Sequence, residues 1–136
     1  MASIRVQREP HDMRLKEDEI RKAFEANLKE GFGEDMVYVA SEVHIGPGRI
    51  DTLAVDEENR PVFIEYKRKG DFGKDALVQL MDYVSWFTRD QTHILYLHRY
   101  IKSRTELAEE ELDSQIRLIC VVSDVEERVK NACYAV

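Results

Sequence analysis

From Asp51 to Lys67 the chain reads Asp-Thr-Leu-Ala-Val-Asp, then Glu-Glu-Asn-Arg, then Pro-Val-Phe-Ile-Glu-Tyr-Lys. Two apolar runs joined by the turn-rich stretch 56–61 fold back on each other as an antiparallel hairpin. This pairing constrains the fold more than any other segment, because it sets two strands side by side and brings Asp51 near Glu65. Side chains alternate faces along a strand, so Glu65 and Lys67 point one way while Ile64 and Tyr66 point the other.

The rest of the chain arranges itself around the hairpin. Ile20, Phe24 and Leu28 recur at helical spacing and predict a helix over 16–30, with Glu17 one turn ahead on the same stripe. Gly31-Phe-Gly33 ends it. Residues 36–44 read as a strand, and Gly46-Pro47-Gly48 as a tight turn into the Asp51 strand. After Gly70–Gly73 a helix is expected over 74–88, with Leu77, Leu80, Val84 and Phe87 as its core stripe and Gln79 and Tyr83 as an i, i+4 pair beside it. A fourth strand is expected over 93–100, a charged helix or loop over 103–112, a fifth strand over 116–122, and a last helix over 125–134 capped by Asp124. Strand, helix and strand with apolar runs imply a right-handed crossover and a mixed sheet. Residues 1–12 form a polar N-terminal arm with strand character in Ser-Ile-Arg-Val, and 13–136 form one domain.

Two carboxylates and an amine converge at the end of this hairpin. Asp51 and Glu65 each offer an oxygen to a hard divalent cation, and the Tyr66 carbonyl, beside the side chains of its strand, offers a third. Mg²⁺ or Mn²⁺ held there would polarise a phosphodiester and acidify a bound water, and Lys67 would position or deprotonate that water or stabilise the developing charge. An isolated Glu-x-Lys on a strand is more often an exposed ion pair; its company with Asp51, Glu17 and Gln79 favours a metal–phosphate site.

Gly48-Arg49-Ile50-Asp51, Glu65-Tyr66-Lys67 and Gln79-x-x-x-Tyr83, preceded by the helical Glu17, together resemble the PD-(D/E)xK nuclease superfamily, most closely its RecB-like branch with the mismatch-specific endonucleases. The resemblance runs from about Glu17 to about Tyr83, and Ile50 stands where the superfamily's name has proline. It implies a restriction-endonuclease-like α/β core, a central mixed sheet flanked by helices in the order α-β-β-β-α-β plus one β-α unit. It also implies a Mg²⁺- or Mn²⁺-dependent deoxyribonuclease, with Asp51, Glu65, Lys67, Gln79 and Glu17 catalytic. The metal would lie on Asp51, Glu65, Tyr66 and Glu17, and DNA on Arg49, Arg68, Lys69, Lys74 and Tyr83. Glu17 reads otherwise as an ordinary first-turn acid, and Tyr83 as an aromatic covering the sheet.

Composition bounds the alternatives. The 136 residues are 43% hydrophobic and 35% charged, as in one compact domain, and no run approaches the roughly 18 apolar residues of a membrane span, so a cytoplasmic protein without membrane contact is expected. Cys120 and Cys133 show no metal-type spacing. A net charge of −7 argues against non-specific coating of nucleic acid but not against a nuclease, whose centre gathers carboxylates. A catalytically silent nucleic-acid-binding or assembly module is the competing reading. A small domain with one centre would need a second copy to cut both strands, so a homodimer is expected, with Trp86 and Phe87 as apolar material for its interface.

Overall fold

The hairpin is the middle of a five-stranded mixed sheet. The computed structural model describes residues 3–9, 17–67 and 73–123. Strand β3 (Gly48–Asp56) pairs antiparallel with β4 (Pro61–Lys67), Thr52 opposite Ile64 and Val55 opposite Pro61. Asp56 closes the turn: its carboxylate accepts from the Glu58 and Arg60 N–H groups, and Asn59 takes the left-handed conformation (φ 62°) that asparagine tolerates. Strand β2 (Met36–Ile45) pairs antiparallel with β3 across a turn at Gly46 (φ 64°), where a Cβ would stand 2.6 Å from the Trp86 ring. Glycine is required there on both counts. On the other side β5 (Arg117–Ser123) runs parallel to β4, and β1 (Ser3–Glu9) parallel to β5, giving the order β1-β5-β4-β3-β2.

Each face of the sheet has its own core. Helices α1 (Glu17–Ala26) and α2 (Leu28–Phe32) place Ile20, Phe24, Leu28 and Phe32 against Ala54, Ile64, Tyr66 and Ile119. Helices α3 (Lys74–Thr88) and α4 (Gln91–Arg104) cover the opposite face, with Val84, Phe87, Leu97 and Ile101 against Leu53, Phe63 and Leu118. Six of the seven β4 residues are therefore buried, as in strands covered on both faces. This is the expected α/β sandwich of a mixed sheet between helices.

Several expectations are corrected. The strand expected over 93–100 is part of α4: Ile94, Leu97, His98 and Ile101 are buried at i, i+3, i+4, i+7, and the Asp90 carboxylate caps the helix by accepting from Thr92 N–H at 2.8 Å. The crossover from β4 to β5 thus consists of a helical hairpin and a single 3₁₀ turn at Glu109–Glu111. The helix expected over 16–30 breaks at Asn27 (φ −144°) into α1 and α2. Part of the N-terminal arm is β1. Phe87 is fully buried beneath the sheet and has no surface to offer a second copy. The expected last helix, with Cys133, lies outside the described residues, as do Arg68 and Lys69.

Candidate functional site

The face alternation of β3 fails at one place, and the carboxylates gather there. Ile50 and Leu53, three residues apart, both belong to the core under α3 and α4. In the facing strand Val43 enters that same core while the Ser41 hydroxyl reaches the opposite side, to Glu25 of α1. Between them Glu42, across from Asp51, has φ 51°, a conformation that costs a non-glycine residue about 1 kcal/mol or more. The ladder between β3 and β4 ends at Thr52 and Ile64. Beyond it the side chains take over the pairing: Tyr66 N–H donates to Asp51 Oδ2 at 3.1 Å, and Asp51 N–H to Glu65 Oε1 at 3.4 Å. Two carboxylates are thereby pinned in the opening between diverging strands.

Both are nearly out of water, Asp51 at 7% and Glu65 at 6% exposure. Burial, and then the negative charge of Asp51 and a hydrogen bond to its carboxylate, push the Glu65 carboxyl up to about 9. Glu65 therefore keeps its proton at neutral pH. Arg49 neutralises part of the remaining charge: its Nη2 donates to Asp51 Oδ1 at 2.6 Å, and its Nη1 lies 3.6 Å from Glu42 Oε1.

An open cleft of about 760 Å³ takes in Arg49, the partner of Asp51, and is walled by the β2–β3 turn at Pro47–Arg49, by Lys67, and by α3 through Gln79, Asp82, Tyr83 and Trp86. Lys67 and Gln79 face this space, Gln79 exposed and Lys67 partly so. Tyr83 is buried; its hydroxyl donates to the Ile45 carbonyl at 2.6 Å, and its ring lies where a Cβ on Gly48 would come to 3.1 Å. It fastens the β2–β3 turn to α3. Lys74 is exposed at the start of α3. Glu17 opens α1, and its side chain lies outside the described residues. Among the described residues no three His, Cys, Asp or Glu side chains are grouped to hold a metal, so any cation here would rely on the Asp51–Glu65 pair plus backbone or further donors.

The family model for the endonuclease NucS C-terminal domain matches residues 23–111, more than half of the chain. The chain belongs to that family. The matched range takes in Arg49, Asp51, Glu65, Lys67, Gln79 and Tyr83 and begins after Glu17. No curated protein and no solved structure matches the chain. NucS is an endonuclease family of the restriction-endonuclease-like superfamily, and DNA fits as the partner of a domain of this kind. No helix among the described residues is long and apolar enough to cross a membrane.

Sequence reasoning missed a polar network on the sheet face opposite the cleft. Glu25 accepts from Ser41 Oγ at 2.6 Å and from Thr52 Oγ1 at 2.5 Å, pairs with Arg21 at 3.2 Å, and Thr52 Oγ1 lies 3.1 Å from the Tyr66 hydroxyl. It ties α1 to the residues that follow Asp51 and Glu65 in the chain. The Arg21–Glu25 spacing of four was the visible signal; the sheet partners became apparent only in the folded register.

Proposed function

We propose that this domain hydrolyses phosphodiester bonds of DNA with a divalent cation held by Asp51 and Glu65. The single observation that carries the reading is the pair of buried carboxylates, Glu65 holding a proton, set beside two residues that line the cleft, Arg49 and Lys67. The donor set is all oxygen, which suits Mg²⁺ or Mn²⁺. In a strand the N–H and C=O of one residue point the same way, so the Tyr66 carbonyl lies on the side its N–H takes toward Asp51. It is the third ligand of this reading, with Glu17 joining directly or through water.

A cation in that place, when bound, polarises the scissile phosphate and acidifies its water. The chain does the rest. Glu65 gives up its proton to solvent to make the site. Lys67, two residues beyond Glu65 on the same strand, orients the attacking water or offsets charge that develops on the phosphate. Gln79 steadies Lys67 or a phosphate oxygen from α3, and Arg49, Arg68, Lys69 and Lys74 take up backbone phosphates. The motif order supports the RecB-like branch of PD-(D/E)xK enzymes. Severing both strands takes two centres, which a two-fold homodimer supplies.

The test is cleavage of duplex DNA in Mg²⁺ or Mn²⁺, abolished by chelator and by Asp51→Asn. Cutting that persists in either condition removes the reading. Binding without cutting in the unmodified chain makes the domain the silent, DNA-holding module instead.

A further inference from the structure

Asp51 presents its two oxygens to different partners: Oδ2 is held by the Tyr66 N–H, and Oδ1 by the Arg49 guanidinium at 2.6 Å. The oxygen left for a cation is thus already taken by a cation of the chain. Arg49 is also about half exposed, 49% at its side chain, lines the cleft, and has a second carboxylate within reach, Glu42, at 3.6 Å. Glu42 is exposed too, and its left-handed backbone places it across from Asp51 at the break in the strand pair. Because its guanidinium is half exposed while Asp51 is buried, Arg49 can be reached by a competing anion without opening the fold, and a guanidinium binds phosphate through two parallel hydrogen bonds.

We propose that Arg49 couples DNA binding to cation loading. With the cleft empty it holds Asp51 Oδ1; a backbone phosphate entering the cleft draws the guanidinium away and frees that oxygen as a ligand. Glu42 keeps a second hold on Arg49, so that the side chain stays at the cleft mouth after it leaves Asp51. The coupling is reciprocal, because whatever loosens Arg49 from Asp51 favours phosphate and cation alike. The inference rests on the cation-dependent reading above and assigns Arg49 a role beyond a plain phosphate contact.

The test is calorimetric titration of Mn²⁺ into the full chain without DNA. Arg49→Gln should bind Mn²⁺ about five-fold more tightly than the unmodified protein, the ratio that corresponds to one exchangeable ion pair. Arg89→Gln removes another cation from the same cleft, reads the general effect of charge, and should shift the affinity less. In chelator, Asp51→Asn should raise affinity for a short DNA duplex more when Arg49 is present than in combination with Arg49→Gln. Arg49→Met serves the same purpose should Arg49→Gln not fold. Mn²⁺ affinity that is unchanged or weaker in the Arg49 variants, a shift matched by Arg89→Gln, or additive effects on DNA affinity overturns this coupling alone. Absence of any Asp51-dependent Mn²⁺ uptake in the unmodified chain overturns the cation-dependent reading, and the coupling with it.

Discussion

Replacing Glu65 with glutamine should make the cation-free protein more stable at neutral pH, and the gain should grow with pH. Folded Glu65 titrates near 9 against an unfolded value of 4.5. Between those values the native state holds one proton that the unfolded state has lost, so the Glu65 contribution to stability is whole below about pH 4.5 and drains away as pH rises toward 9, at up to roughly 1.4 kcal/mol per pH unit. From pH 5 to pH 7 this amounts to a loss on the order of 3 kcal/mol, or about 10 °C in the melting midpoint of a domain this size. Glutamine keeps the shape of the protonated acid, can still accept the Asp51 N–H, and does not titrate. Urea denaturation followed by circular dichroism in chelator, from pH 5 to pH 8, measures the difference directly. The two proteins should nearly coincide at pH 5 and diverge steadily above it, and saturating Mn²⁺ should restore the unmodified protein but not Glu65→Gln. Parallel stability curves across this range, with no divergence, would refute the claim that buried Glu65 holds a proton.

At the opposite end of β3, Asp56→Ala should destabilise by about 3 kcal/mol in urea melts, because it leaves Arg60 without its buried partner and takes one from Arg117. Burial opposes ionisation of Asp56, but hydrogen bonds from Arg60 N–H and from the Arg117 and Arg60 guanidinium groups hold its carboxyl below the usual range. Its stabilisation is therefore present above an unfolded value of 3.8 and lost as pH falls through the lower folded one, so Asp56→Asn should flatten the acid limb of the stability curve. Lys67→Ala should lower turnover while DNA affinity, read by fluorescence anisotropy, changes little. Neutralising Arg68, Lys69 and Lys74 should weaken affinity and reduce its salt slope by roughly one per lost phosphate contact. Tyr83→Phe should cost about 1 kcal/mol in denaturant melts, the worth of its bond to the Ile45 carbonyl.

What was legible in the sequence was what local pattern decides. The Asp51–Lys67 hairpin, the turn at Gly46 and the α3 stripe follow from alternation, turn chemistry and helical spacing, which act within a few residues. Ile94-Leu-Tyr-Leu97 misled because a short apolar run fits a buried strand and a buried helix face equally well; the arbiter was burial of His98 and Ile101 a turn further on, which depends on the core and on the Asp113 segment closing over them. The break at Glu42, with its φ of 51°, left no mark in the sequence, since glutamate has no preference for positive φ. Asp51 and Glu65 could be paired from register alone, but their burial, the hold of Arg49 and the Glu25 network emerge only when α1, α3 and the sheet close around them.

The two ends of β3 show why the Asp51–Glu65 end reads as a site rather than as ordinary architecture. Asp56 and Glu65 are buried to almost the same degree, at 5% and 6% exposure, yet their proton affinities move in opposite directions. At Asp56 the chain supplies two guanidinium groups and two backbone N–H donors, and Arg117 is held in turn by Glu34 at 2.6 Å. Charge is matched from within, and the carboxyl stays ionised. At Asp51 and Glu65 two acids meet with one half-exposed arginine between them and water, and Glu65 must keep a proton to remain buried. Among the described residues, the chain matches the buried carboxylate with two arginines at one end of the strand and leaves Glu65 to hold a proton at the other, near the cleft that Arg49 and Lys67 line. Replacing the Glu65 proton by a divalent cation on these oxygen donors is what the proposed function asks of this end of the strand.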